Sequence, residues 1–138
     1  MADPKLLVDA SIAVKWLLPE RLAPDGESAR ELIGEVDLAT TALAHYEIAN
    51  TIGRIHPGGA AAAIESCALT RAICGEPVAL TADDVGAAAR LAEQHGLSFY
   101  DASYAAAAQR TGWTLVSADG DLLRPGLAIS LSTALARA

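Results

Sequence analysis

Residues 96–123 read GLSFYDASYAAAAQRTGWTLVSADGDLL, and the order of signals along them decides the fold. The alanine-rich run that opens at Asp101 is built from the strongest helix former. Gly112 stands where a helix stops. The short apolar run WTLV that follows has the pattern of a buried strand. That strand ends abruptly on Ser117-Ala118-Asp119. A helix, a glycine, a strand and then an acid make one unit of an alternating α/β chain.

The same strand-to-acid corner occurs at the other end of the sequence. In Lys5–Ser11, KLLVDAS, an apolar run ends on Asp9 and the helical segment IAVKWLL follows as far as Pro19; the tripeptide Asp-Ala-Ser recurs at 101–103. Between these corners SARELIGEV reads as a helix and VDLATT as a short strand, with Thr40 or Thr41 placed to cap the helix ALAHYEIANTIGRI. HPGG breaks the chain, 60–74 is another alanine-rich helix, and VAL is a further short strand. In TADDVGAAARLAEQHG, Thr81 with Asp84 three residues on forms a capping box, and His95-Gly96 closes the helix. LAISLS is read as a last strand. Strands alternating with helices imply a three-layer α/β fold: a central, mostly parallel sheet of four to five strands with helices on its faces. In such sheets ligands bind at the carboxyl ends of the strands, so the residues just after each strand matter most.

Composition narrows the classes. A chain of 138 residues suits one compact domain, here expected to span 1–138. With 52% hydrophobic but only 4% aromatic residues, the core is aliphatic and rich in alanine. Charges amount to 20% and are interspersed with apolar positions, which excludes a disordered chain. No apolar run approaches the roughly 18 residues of a membrane helix, and MADPKLLVDAS lacks the basic and long apolar regions of a signal peptide. The expectation is a soluble, cytoplasmic protein. Cys67 and Cys74 stand seven apart in one predicted helix, which separates their Cα atoms by about 10 Å, too far for a disulfide; they are read as small buried thiols. A net charge of −7 argues against a broad basic face for nucleic acid; it fits an acidic site that needs cations, a basic partner, or neither.

Four acids stand out. Asp9 ends a strand, Glu47 lies in an otherwise apolar helix with Asn50 and Thr51 at i+3 and i+4, Asp101 opens the alanine-rich helix, and Asp119 follows a strand. Each has a plain structural reading: Asp9 (or Ser11) and Asp101 as helix caps, Glu47 as a solvated helical residue, Asp119 and Asp121 as turn residues. Taken together they are an oxygen-only donor set, which suits a hard ion such as Mg²⁺ or Mn²⁺. Four ionised carboxylates in one place demand protons or cations, and two ions about 3.5–4 Å apart can clamp a scissile phosphate.

The ordered set LLVDAS, ALAHYEIANTI and 96–123 resembles the PIN-domain family, in particular the VapC-type ribonuclease toxins of type II toxin–antitoxin pairs. The likeness runs from the first strand to about Leu123. It implies a PIN-like fold and a Mg²⁺- or Mn²⁺-dependent endoribonuclease holding one or two ions, in which a metal-bound water attacks the phosphodiester in line. The family's acids fall on Asp9, Glu47, Asp101 and Asp119, which serve as both metal ligands and catalytic residues. Its small hydroxyl residues fall on Ser11 and on Ser117, where Thr is commoner; with Asn50 they would orient the acids, and Asp121, just past the matched motif, is a candidate fifth, outer acid. Lys15, Arg21 and Arg124 are candidates for holding RNA. The resemblance also implies a VapB-like antitoxin with a basic C-terminal segment, a homodimer and no membrane. Trp16 is read first as a core residue and second as a contact surface.

Three rivals are weighed. One is a PIN-domain RNA-processing nuclease without an antitoxin; a chain that ends soon after the fold favours the toxin instead. Another is a catalytically silent PIN-fold binding module, against which the four retained acids speak, since folding requires none of them. The third is an aspartyl-phosphate phosphatase or receiver. Those proteins use a late lysine, whereas the only lysines here are Lys5 and Lys15.

Overall fold

The computed structural model describes residues 5–138. In chain order the elements are β1 (Leu6–Val8), α1 (Ala10–Leu17), α2 (Gly26–Glu31), β2 (Leu38–Ala39), α3 (Ala42–Ile55), α4 (Gly59–Cys74), α5 (Ala82–His95), α6 (Phe99–Thr111), β3 (Thr114–Val116), α7 (Gly120–Leu123) and α8 (Leu131–Arg137). The three strands form one parallel sheet in the order β2-β1-β3, with Leu6 opposite Leu38 on one side and Thr114 on the other. Leu7, Val8, Leu38, Ala39, Leu115 and Val116 are all buried, as expected of parallel strands covered on both faces.

Both outer strands of the expected four- to five-stranded sheet survive only as single bridges, Thr41–Val78 and Val116–Ile129. The VAL segment makes just two backbone bonds to the 40–42 stretch, Val78 N to Thr40 O (2.9 Å) and Ala42 N to Val78 O (3.1 Å). In LAISLS, Ile129 pairs with Leu115 and Ser117, and the chain then turns into α8, whose first turn is capped by the Ser130 hydroxyl accepting from Thr133 N. A strand pattern this short was competing with a Ser cap, and the cap prevailed.

The helix starts obey local chemistry. Asp9, Thr41, Thr81 and Ser98 all cap with their side chains. Gly96 and Gly112 end α5 and α6 in the left-handed region, where a side chain would be strained. Helix α6 is central because Ala102 and Ala105–Ala108 are small enough to be buried on several sides at once. Trp16 belongs to the core, its Nε1 donating to Ala29 O at 2.9 Å. Cys74 is buried, which pushes its thiol up to about 12, and Cys67 is half-buried; both are free. No helix among the described residues is long and apolar enough to cross a membrane.

One buried acid ties α5 to α6. The predicted capping box is present in full: Asp84 N donates to the Thr81 hydroxyl (3.1 Å) and Thr81 N to Asp84 Oδ2 (2.9 Å). Arg110 Nε also donates to both Asp84 oxygens (2.9 and 2.7 Å). Burial alone would raise the Asp84 carboxyl, but the Thr81 amide and Arg110 outweigh it and hold it below the usual range. Its contribution is therefore present above the unfolded value and fades as pH falls through the lower folded value. Asp84→Ala should cost about 1–2 kcal/mol near neutral pH, a difference that urea unfolding should find shrinking once acid protonates Asp84.

Candidate functional site

The site is assembled at the carboxyl ends of β1 and β3. Asp9 is 4% exposed and caps α1, with Oδ1 accepting from Ile12 N (3.3 Å) and from the Ser11 hydroxyl (2.5 Å). Its other oxygen accepts from the Ser117 hydroxyl (2.5 Å) at the end of β3. The capping reading and the site reading of Asp9 thus describe one side chain. Burial raises the Asp9 carboxyl, and the two serines and the Ile12 amide offset only part of that rise. Both serines also accept backbone protons: Ala118 N donates to Ser11 (2.9 Å) and Asp119 N to Ser117 (2.9 Å).

Asp119 then caps the short helix α7, its Oδ1 accepting from Asp121 N at 2.9 Å. Asp101 arrives from the opposite side in the first turn of α6. It does not cap that helix as the sequence suggests. Ser98 does, accepting from Asp101 N at 3.1 Å. The signal was legible in Ser98-Phe99-Tyr100-Asp101, a cap followed three residues later by an acid. The fold brings together carboxylate oxygens of Asp101, Asp119 and Asp121, all within 4.8 Å of one another. Asp121, read as an outer acid, is the exposed member of this trio, and Asp9 and Glu47 are not part of it.

Glu47 reaches the same region from α3. Its Oε1 accepts from the Tyr104 hydroxyl at 2.8 Å, a partner that sequence reasoning missed because 57 residues separate them. Tyr104 is almost wholly buried, and burial together with Glu47 raises its phenol, so it stays protonated as a donor. The charge of Glu47 adds to the rise at Asp9, and that of Asp9 to the rise at Asp101. All these carboxylates therefore share one electrostatic neighbourhood. Asn50 lies exposed one turn along α3, outside this network.

The three candidate cations are placed differently. Arg124 pairs with Asp121. Lys15 donates to Pro24 O (2.7 Å) and helps line a cavity of about 290 Å³ with Ser28, Ser117, Ala118 and Ser130. Arg21 is exposed in the loop after α1. The donor set passes the test for a hard divalent cation: three carboxylate oxygens converge with no nitrogen or sulfur among them. The cost of crowding them is visible, since burial and the neighbouring Asp119 charge push Asp101 up to about 6.

Comparison with known proteins gives the class. The PIN domain model matches residues 6–126, and the chain belongs to the PIN domain family. No curated protein matches it. Among solved structures it is similar to PAE2754 from Pyrobaculum aerophilum, at 30% identity and a TM-score of 0.70 over 97% of this chain and 88% of that one. It also shares its fold with Mycobacterium tuberculosis VapC20, a sarcin-ricin loop cleaving toxin, at 20% identity and TM-score 0.74 over 88% and 95% of the two chains. A third is VapBC2 from Rickettsia felis, solved bound to a DNA fragment from its promoter, at 15% identity and TM-score 0.66 over 91% and 96%.

Asp101 sets a pH dependence for the metal-free protein. Its folded-state carboxyl keeps a proton up to about 6, whereas 3.8 is the ordinary value. The folded state thus binds more protons than the unfolded one between these limits, and its stability falls as pH rises through them. Thermal melts at several pH values should show this decline, and Asp101→Asn should remove the component. Mg²⁺ or Mn²⁺ should raise Tm more above the window than below it. An unchanged slope in Asp101→Asn would contradict the assignment.

Proposed function

We propose that the chain is a divalent-cation-dependent endoribonuclease, folded as a single PIN domain over 1–138 and acting as the toxin of a VapBC-type toxin–antitoxin pair. The observation that carries this reading is the convergence of Asp101, Asp119 and Asp121 within 4.8 Å beside the buried Asp9. Membership of the PIN domain family and the fold likeness to VapC20 support it. Asp101, Asp119 and Asp121 would hold a Mg²⁺ or Mn²⁺ ion, with Asp9 and Glu47 completing a site for one or two ions. Such an ion supplies positive charge at a scissile phosphate and makes a water more acidic.

The chain's own residues do the positioning. Ser11 and Ser117 hold both Asp9 oxygens, and Ser117 also fixes the backbone of Asp119. Tyr104 fixes Glu47 through a proton it does not give up in the ordinary pH range. As the toxin of a pair, the chain would be neutralised by an antitoxin whose basic C-terminal segment complements the acids, and it would work as a homodimer.

The test is cleavage of RNA by the purified chain in Mg²⁺ or Mn²⁺. Chelation should abolish cleavage, and Asp101→Asn and Asp119→Asn should each reduce it to background. Ser117→Ala, which removes a positioning hydroxyl rather than a ligand, should cost roughly 10–100-fold. RNA cleavage that survives Asp119→Asn would refute the assignment.

A further inference from the structure

The cavity of about 290 Å³ beside Lys15 is distinct from the cluster of acids but shares a wall with it. Residues of α1, α2, α7 and α8 line it, together with Ser117 and Ala118, the two residues before Asp119. Ser117 donates to Asp9 (2.5 Å), and Ala118 N donates to Ser11 (2.9 Å), which itself donates to Asp9. Whatever fills the cavity therefore stands one residue from the acids. Its volume is at the small end of ligand sites, with room for one ring system rather than a folded segment.

Its lining combines two chemistries. Leu123, Leu131 and Leu135, all half-buried, supply apolar surface for a flat ring. Lys15, Asp25 and Ser28 supply polar groups. Lys15 gives one of its three protons to Pro24 O (2.7 Å). Among the described residues neither Lys15 nor Asp25 enters an ion pair. Asp25 is also the one non-glycine residue among those described with a positive φ, 70°. Glu20 holds it there, accepting from Asp25 N (3.0 Å) and Gly26 N (3.2 Å). Non-glycine residues kept in the left-handed region cluster at binding sites, where the surroundings over-determine them. A cation and an acid thus stand at one cavity with bonding capacity to spare.

Charge identifies the occupant. A simple anion would meet Asp25, and a simple cation would meet Lys15. The pair calls for a neutral ligand with donors and acceptors along one edge and apolar faces, which describes a nucleobase. Guanine matches it best. Its N1–H and N2–H are adjacent donors for the two oxygens of a carboxylate, and O6 beside them accepts from an ammonium, a pairing that recurs in base recognition. Resting on the nuclease reading, we propose that this cavity is a specificity pocket for guanine. It takes the base of one guanosine of the RNA, with Asp25 and Lys15 on the base edge and the leucines against its face. Seating that base sets which phosphodiester of the strand lies at the acids.

Cleavage of a randomised RNA pool in Mg²⁺ or Mn²⁺, with the cut ends sequenced, tests this: G should occur at one fixed distance from the cut. In a defined RNA cut at such a site, inosine in place of that G removes only the N2 amino group and should lower kcat/KM about tenfold. Adenine there should lower it about ten- to hundredfold, the range of one bidentate base contact. Asp25→Asn should bring the G-over-A ratio close to one, and Lys15→Gln should lower it. Asparagine tolerates the left-handed backbone, so thermal melts of Asp25→Asn should match the parent. In metal-free buffer guanosine 5′-monophosphate should bind the parent more tightly than adenosine 5′-monophosphate does, and Asp25→Asn should lose that difference. If the pool shows no fixed G, or the preference survives Asp25→Asn, the pocket is refuted and the nuclease reading stands. If inorganic phosphate displaces the guanine nucleotide as readily as more of that nucleotide does, Lys15 holds a phosphate and the pocket is again refuted. If no RNA is cleaved while guanosine 5′-monophosphate still binds through Asp25, the nuclease reading fails and the proposal with it, because the guanine is then a free nucleotide's.

Discussion

Everything at the site depends on satisfying one buried carboxylate. Asp9 lies at the end of a strand covered on both faces, where an unpaired charge would cost several kcal/mol. The fold answers with three donors from two places: the Ile12 amide and Ser11 hydroxyl on the first turn of α1, and the Ser117 hydroxyl at the end of β3. Those bonds lock the two strand-to-helix corners together. The consequence runs onward, because Ser117 accepts from Asp119 N and Asp119 accepts from Asp121 N. One desolvation constraint at Asp9 therefore sets, bond by bond, where two further carboxylates stand.

The second constraint is repulsion among the acids so placed. Three carboxylates with oxygens within 4.8 Å cannot all stay charged and unaccompanied. Two local measures relieve this: Asp101 holds its proton up to about 6, and Arg124 pairs with Asp121. Neither is deep. Asp101 is half-buried, and the Arg124–Asp121 pair is largely exposed, the kind of surface ion pair that contributes little. On the proposed reading a divalent cation would take over the role of both.

Much of this is legible in the sequence because its signals are local. A short apolar run ending on Asp9 or Ser117 marks a strand meeting a corner, and Thr81 with Asp84 states a capping box outright. The misreadings arise where two local signals compete or where the partner is remote. Asp101 looks like a cap until Ser98, three residues earlier, claims that role. LAISLS looks like a strand until Ser130 starts a helix after a single bridge. The bond from Tyr104 to Glu47 has no local signal at all, since it exists only once α3 and α6 are packed. Asp121 shows the same limit. Its type and position read as a turn, and only the geometry of a four-residue helix turns it toward Asp101.

The charge of the whole chain now has a structural meaning. At −7 the protein repels nucleic acid at long range, and its site concentrates that repulsion. Recognition of an RNA by such a surface cannot rest on the broad phosphate contacts that dominate binding to basic faces. On the proposed nuclease reading, a cation held at the acids would offset that repulsion at the scissile phosphate. The core is built from alanine and branched aliphatics and buries only two rings deeply, Trp16 and Tyr104. The exposed aromatic residues Tyr46, Phe99 and Tyr100 precede Glu47 and Asp101 in the sequence. With only 4% aromatics in the chain, three of the six rings stand exposed and the interior is packed mainly by aliphatic side chains.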